Sequence, residues 1–256
     1  MDEIVVRAVE RAIETMRQGL AEKITIDDLA RSAIFSKFHF SRVFQQVTGV
    51  SPGRFLSAVR LEEAKRLLLS TSSTVADISH QVGYNSVGTF SSRFHSSVGV
   101  SPITYRQLGC ATAELPTAGR DLAQAPVSAV VGHVSAPPTG RPGMVFVGLF
   151  PGRMLRGVPV RYAVLNRPGH YLLLDVPQGT WHLMAHSVPA DTEDDTDQIP
   201  LVGSHGPITL RPGITTRLTD VHLRPMRKID PPVLLALLDV QSVALHRIAE
   251  QMRPAV

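Results

Sequence analysis

Cysteine is nearly absent: Cys110 stands alone among 256 residues, so no disulfide can close within the chain. That usage fits a reducing compartment. No uninterrupted apolar run approaches the ~20 residues that span a bilayer. The start, Met1-Asp2-Glu3, lacks the basic-then-apolar pattern of a secretory leader. A cytoplasmic protein without a membrane partner is therefore expected. Proline is missing before Pro52, which leaves everything upstream free to be helical. Acids are missing between residues 36 and 61, where Lys37, Arg42, Arg54 and Arg60 stand uninterrupted. They collect instead at Asp191, Glu193, Asp194, Asp195 and Asp197. A hydrophobic content of 43% suffices for packed cores and excludes a chain disordered throughout. The net charge of +4 and pI near 9.6 matter less than where the cations lie.

Residues 1–109 carry helical periodicity throughout. Prolines and glycines then crowd in from 114 to 143, and a linker is placed at 110–125. Beyond it come short apolar or alternating runs separated by turn residues: 144–150, 171–176, 180–187 and 216–223. These mark a β-unit over 126–228. After Asp230-Pro231-Pro232 a final helix is expected within 229–256, because proline suits a first turn. The expected fold is thus multidomain α and β: an all-α double helix-turn-helix domain, an all-β sandwich and a C-terminal helix.

The helical part repeats itself. Phe40, Phe44, Gly49, Val50, Ser51, Pro52 and Phe55 return 50 positions later as Phe90, Phe94, Gly99, Val100, Ser101, Pro102 and Tyr105. Upstream, Ile26-Asp27-Asp28-Leu29 corresponds to Val75-Ala76-Asp77-Ile78, one residue out of step. Each copy reads as a short helix, a turn, a second helix, and Gly-Val-Ser-Pro. The glycine suits a left-handed helix stop, the serine an N-cap and the proline a first turn.

In copy one the second helix should span about 36–48, with Ser36 as N-cap. Phe40, Val43, Phe44 and Val47 then share the buried face. Phe38, Ser41, Arg42 and Gln45 share the opposite one, with Lys37 beside them. An arginine there can bond a guanine edge bidentately, a glutamine can read adenine, and an aromatic can touch a thymine methyl. In copy two Phe90, Phe94 and Val98 are the buried stripe. Gly88, Ser92 and His95 take the places of Phe38, Arg42 and Gln45, flanked by Thr89 and Ser91. Arg93 lies about 100° around the helix from Ser92, where it suits a phosphate. Copy two therefore reads as a positioner. A connecting helix over 52–69 would span ~27 Å against a DNA turn of ~34 Å, so two recognition helices can meet successive major grooves.

Residues 1–109 resemble the DNA-binding domain of AraC/XylS-type regulators. The carrying segments are 26–48 (IDDLARSAIFSKFHFSRVFQQVT), Gly49-Val50-Ser51-Pro52, 60–69 (RLEEAKRLLL) and 75–105 with Val82-Gly83-Tyr84. The resemblance implies double-stranded DNA as partner, promoter binding through tandem units and, in many relatives, activation through RNA polymerase. Two departures stand out. That family usually carries this domain at its C-terminal end, and its second recognition helix usually has arginine where this chain has Ser92. Residues 126–225 resemble the transthyretin-like or carboxypeptidase-regulatory β-sandwich, on 169–186 (GHYLLLDVPQGTWHLMAH) and 208–213 (ITLRPG). There the Pro-x-Gly turn should close a hairpin, with Tyr171, Leu173 and Asp175 on one face. Such modules bind or space, so a sensor or assembly role follows, with a small-molecule effector as a candidate partner.

Other patterns carry less. Gly49-Val50-Ser51-Pro52-Gly53 matches G-x-S-x-G, but a nucleophile elbow needs a preceding strand, and a helix precedes here. His182 and His186, four apart on a strand, would lie ~13 Å apart and cannot share a zinc. His133, His170, His182, His186 and His222 remain single ligand-site candidates beside the plainer reading as surface or strand residues. Residues 191–197 (DTEDDTD) lack the glycine and distal glutamate of an EF-hand and read as a solvated acidic loop. No catalytic residue, metal or cofactor is expected, and no enzyme. Leu234, Leu238, Gln241, Leu245, Ile248 and Met252 follow coiled-coil spacing, so residues 231–253 either pair with a second copy or dock on the chain's own β-unit. The alternative function is a binding or scaffold module whose helical part contacts protein.

Overall fold

The computed structural model describes residues 3–110, 128–138, 142–189, 199–211 and 216–236. The chain divides into two compact units, residues 1–113 with those from 227 onward, and residues 114–226.

Among the described residues the first unit holds seven helices: α1 (Glu3–Gln18), α2 (Ile26–Ser32), α3 (Lys37–Thr48), α4 (Pro52–Ser70), α5 (Val75–Gln81), α6 (Val87–Val98) and α7 (Pro102–Cys110). In α1, Val9, Ala12, Ile13 and Met16 form the buried stripe. Helices α2, α3 and α4 pack on α1.

α2 and α5 open with the same device. The Asp28 N–H donates to Thr25 Oγ1 at 3.3 Å while the Thr25 N–H donates to the Asp28 carboxylate at 3.0 Å. Thr74 and Asp77 repeat the exchange at 3.1 and 3.2 Å. Each box satisfies two backbone donors that the helix itself cannot. The threonine hydroxyl and N–H hold both carboxyls below the usual aspartate range. Because the folded value is the lower one, this stabilisation is complete above the unfolded value near ~4 and is lost as pH falls through the folded one. Urea midpoints should therefore drop between about pH 5 and pH 3, and drop less in an Asp28→Asn, Asp77→Asn double variant. Equal drops would show that the boxes carry no pH dependence.

The two copies close α2 and α5 identically but with different residues. Ile34, at φ 61, donates to Arg31 O at 3.0 Å and Phe35 donates to Ala30 O at 2.9 Å. Gly83, at φ 81, donates to His80 O and Tyr84 to Ser79 O, both at 2.9 Å. This is the Schellman closure, which needs a left-handed residue. α3 and α6 stop as expected on Gly49 (φ 79) and Gly99 (φ 98).

The serine caps are uneven. Ser101 Oγ accepts from the Thr104 N–H at 3.1 Å and Ser86 Oγ from the Thr89 N–H at 3.4 Å. Ser36 and Ser51 hold extended N-cap backbones, yet neither side chain makes the cap bond. At α4 the start is set by Pro52, which lacks an N–H to satisfy. Ser101→Ala should thus cost about 1 kcal/mol in chemical denaturation and Ser51→Ala only a few tenths. A larger loss at Ser51 would contradict this reading.

The repeat persists in packing. Phe40, Phe44 and Phe55 pack in sequence, tilted and then edge to face, with ring centroids 5.4 Å apart at each step. Phe90, Phe94 and Tyr105 copy them at 5.7 and 5.6 Å. All six rings are buried. α4 buries residues around much of its girth, from Phe55 and Leu56 to Ala64, Lys65 and Leu68. α1, α3, α5 and α7 all touch it, so both copies are built on this one strut.

The helix expected within 229–256 does not start at the prolines: residues from 237 on lie outside the described residues, and residues 231–235 are irregular. This stretch belongs to the helical unit, where Lys65 Nζ donates to Val233 O at 3.1 Å and to Leu235 O at 3.5 Å. Leu234, first in the coiled-coil spacing, is buried. Residues 237–253 of that seam lie outside the described residues.

The second unit contains β1 (Ser128–Ser135), β2 (Pro142–Phe150), β3 (Arg161–Leu165), β4 (His170–Val176), β5 (Gly179–Pro189), β6 (Leu201–Leu210), β7 (Thr216–Leu218), β8 (Val221–His222) and β9 (Arg224–Pro225). One sheet runs β4-β1-β7 with β8 also on β1; the other runs β3-β2-β5-β6-β9. Both sheets feed one apolar cluster, Val130, Val134, Tyr171 and Leu173 from the first with Val147, Leu149, Leu183 and Ile208 from the second. Two expectations fail here. β4 and β5 form no hairpin, because β4 pairs with β1 while β5 pairs with β2 and β6. Asp175 does not continue the inner face: at φ 57 it shifts the register, and Val176 points inward instead. The run at 216–223 also breaks, because the Thr219 carbonyl accepts from the Tyr171 hydroxyl and the Asp220 carboxylate from the His133 N–H.

Candidate nucleic-acid interface

On α3 the buried residues are Phe40, Val43, Phe44 and Thr48, while Val47 is half-buried. The opposite face carries Phe38, 86% exposed, with Arg42 and Gln45 exposed and Ser41 half-buried. The Ser41 hydroxyl donates back to Lys37 O at 3.0 Å, leaving its lone pairs outward. Lys37 pairs with Asp27 at 3.1 Å across the turn between α2 and α3. Among the described residues no hydrogen bond or ion pair holds the Arg42 guanidinium.

On α6, Gly88, Thr89, Ser92, Arg93 and His95 are exposed and Ser91 is half-buried, opposite Phe90, Phe94 and Val98. Thr89 and Arg93 also line an open pocket of about 360 Å³ together with Arg60, Tyr84, Asn85 and Ser86. Arg60 Nη2 donates to Glu22 O at 2.8 Å, and burial lowers the Arg60 pKa. The lining holds two guanidiniums and no carboxylate, a composition that suits an anion. Sequence reasoning placed Arg60 in the basic run but had no signal tying it to α6. That link depends on Gly83, whose missing side chain lets the α1–α2 connection and Arg60 close in.

In the β-unit, His133 and His170 face each other across β1 and β4 with ring centroids 4.9 Å apart. His222 Nδ1 lies 2.9 Å from Ser135 Oγ. Burial, then Arg153, lowers the His182 pKa. Among the described residues no three His, Cys, Asp or Glu side chains gather closely enough to hold a metal ion. Nor is any described helix long and apolar enough to cross a membrane. Ser51 sits between two helices, without the strand a nucleophile elbow requires. The acidic run 191–197 lies outside the described residues.

An exposed polar helix face set by a buried aromatic stripe, twice over on one strut, is the architecture of a double helix-turn-helix domain. Residues 29–108 match the helix-turn-helix domain family. The chain is 37% identical over 102 residues to the uncharacterised HTH-type transcriptional regulator YisR of Bacillus subtilis, covering 40% of this chain and 36% of that one. It is 32% identical over 104 residues to the lactose operon transcription activator of Staphylococcus xylosus, covering 41% and 37%. It thus spans little more than a third of the length of these relatives. An AraC-type DNA-binding-domain regulator from Chromobacterium violaceum aligns at 26% identity and TM-score 0.39, over 40% of this chain and 91% of that one.

Proposed function

We propose that this chain is a sequence-specific DNA-binding transcriptional regulator that sets α3 and α6 into successive major grooves of a duplex. The observation that carries this is the exposed face of α3, with Phe38, Arg42 and Gln45 turned out opposite the buried Phe40 and Phe44. Arg42 reads guanine, Gln45 adenine and Phe38 a thymine methyl. Lys37, Ser41 and the pocket of Arg60, Thr89 and Arg93 take phosphates, and Gly88, Ser91, Ser92 and His95 position α6 with little base readout. The β-unit serves as a sandwich of the transthyretin-like kind that senses a small molecule or assembles the protein. Its two sheets around one cluster support that reading. RNA polymerase and a second copy through residues 231–253 are the further partners, in the cytoplasm, without enzymatic activity.

The test is selection of duplexes from a random pool by the full-length protein, followed by titration across salt. A selected consensus should emerge, with affinity falling steeply as salt rises because several phosphates are contacted. A folded protein with no salt-sensitive duplex binding would overturn this function and favour a protein-contact role for the helical unit.

A further inference from the structure

The two copies differ at one turn. The left-handed position that closes α2 holds Ile34 (φ 61), while its counterpart closing α5 holds Gly83 (φ 81). A β-branched residue is a steric outlier there, and glycine would relieve it. Nothing in the packing repays the strain, because Ile34 is 81% exposed. The fold alone gives no reason for an isoleucine at this place, and the chain's own second copy shows the unstrained solution.

The neighbourhood supplies a reason. Four residues on, in the first turn of α3, Phe38 is 86% exposed. In sequence Lys37, which pairs with Asp27, stands between Ile34 and Phe38, and Arg42 follows one helical turn beyond Phe38, so cations flank these exposed apolar residues at the start of α3. Exposed apolar surface of this kind gains when a partner covers it. On a duplex the matching apolar feature in the major groove is the thymine C5-methyl, and the flanking cations complement the phosphates beside it. Backbone strain is characteristically kept where a contact needs it.

We propose that Ile34 is a base-reading residue whose side chain, beside Phe38, covers a thymine methyl at the edge of the half-site read by α3. This deepens the DNA-binding reading above and rests on it.

The experiment uses the full-length protein and duplexes it has selected from a random pool. Thymines of the α3 half-site are replaced one at a time by deoxyuridine, which removes only the methyl, and affinity is read by fluorescence anisotropy. Wild type should lose about fourfold at one thymine besides any that Phe38 covers, the worth of one buried methyl group. Ile34→Gly should bind the thymine duplex about fourfold more weakly, no longer distinguish thymine from uracil there, and melt at a higher temperature than wild type. Ile34→Val should keep part of the discrimination. An Ile34→Gly protein with the wild-type uracil penalties at every position overturns the proposal, whatever its affinity. Wild type that binds no duplex would sink the DNA-binding function as a whole. Wild type that binds without any Ile34-dependent penalty sinks only this contact.

Discussion

Replacing Gly83 by alanine should destabilise the helical unit by about 3 kcal/mol or more, against about 1 kcal/mol for the same change at Gly49. Both glycines sit at positive φ, 81 and 79. A side chain at either position meets the steric cost of the left-handed region, roughly 1–2 kcal/mol. They differ in what surrounds them. A Cβ on Gly83 would lie 2.2 Å from Leu20 O and 2.7 Å from Arg60 Nη2, whereas one on Gly49 meets nothing within 4 Å. Moving a backbone carbonyl aside adds the ~1–3 kcal/mol typical of overpacking. It also disturbs the Arg60 bond to Glu22 O that ties the α1–α2 connection to α4. Thermal melts of the two variants measure the difference directly, at roughly 2–4 °C per kcal/mol for a unit of this size. Equal shifts would show that the connection yields freely and that the close approach at Gly83 is not a structural requirement.

That contrast shows what a sequence reader can and cannot see. The repeat made the helices legible, because period, glycine stop and Ser-Pro start all recur locally. The capping boxes Thr25-x-x-Asp28 and Thr74-x-x-Asp77, which fix where α2 and α5 begin, went unread in the sequence although their spacing is the ordinary one. Ile34 was not legible, since no pattern announces a left-handed isoleucine. The exposed face of α3 followed from 3.6-residue spacing, but the buried stripe ends one residue later than expected. Val47 yields its buried place to Thr48, whose single hydroxyl proton is shared between Phe44 O at 2.8 Å and Val50 O at 3.0 Å.

The β-unit resisted reading for a different reason: β2–β3 and β5–β6 join consecutive strands, but β1 with β4, β7 and β8, β2 with β5 and β6 with β9 pair across remote stretches. Pro177-Gln178 looks like a hairpin turn, yet it carries the chain from one sheet to the other. A local turn signal cannot report which partner each strand will choose. Asp175 flips the phase of β4 because a single left-handed residue inserts a bulge, for which aspartate is one of the tolerated types. At the C-terminal end, Pro231-Pro232 suggested a helix start. Residues 231–235 are irregular instead, and Lys65 binds the Val233 and Leu235 carbonyls; residues from 237 on lie outside the described residues.

Arg42→Ala should weaken binding to a selected duplex by roughly 1–3 kcal/mol, about five- to 150-fold, and relax the preference at one base pair. The expectation rests on position and freedom. Arg42 lies one helical turn beyond Phe38 on the exposed face, and no partner among the described residues holds its guanidinium. An exposed substitution of this kind changes stability within about ±0.5 kcal/mol, so a loss of affinity cannot be blamed on the fold. Two comparisons separate base reading from charge. Lys37 is half-engaged by Asp27 at 3.1 Å and sits at the helix start. Its removal should weaken all duplexes alike and lower the salt slope by about one. Ser92, which holds the matching place on α6, offers no bidentate donor pair, so Ser92→Ala should cost less than Arg42→Ala and leave the consensus intact. Anisotropy titrations of the three variants against single-base-substituted duplexes resolve the pattern. Should Arg42→Ala lose affinity evenly across all sequences, its role is phosphate attraction, and the base-reading assignment for α3 falls.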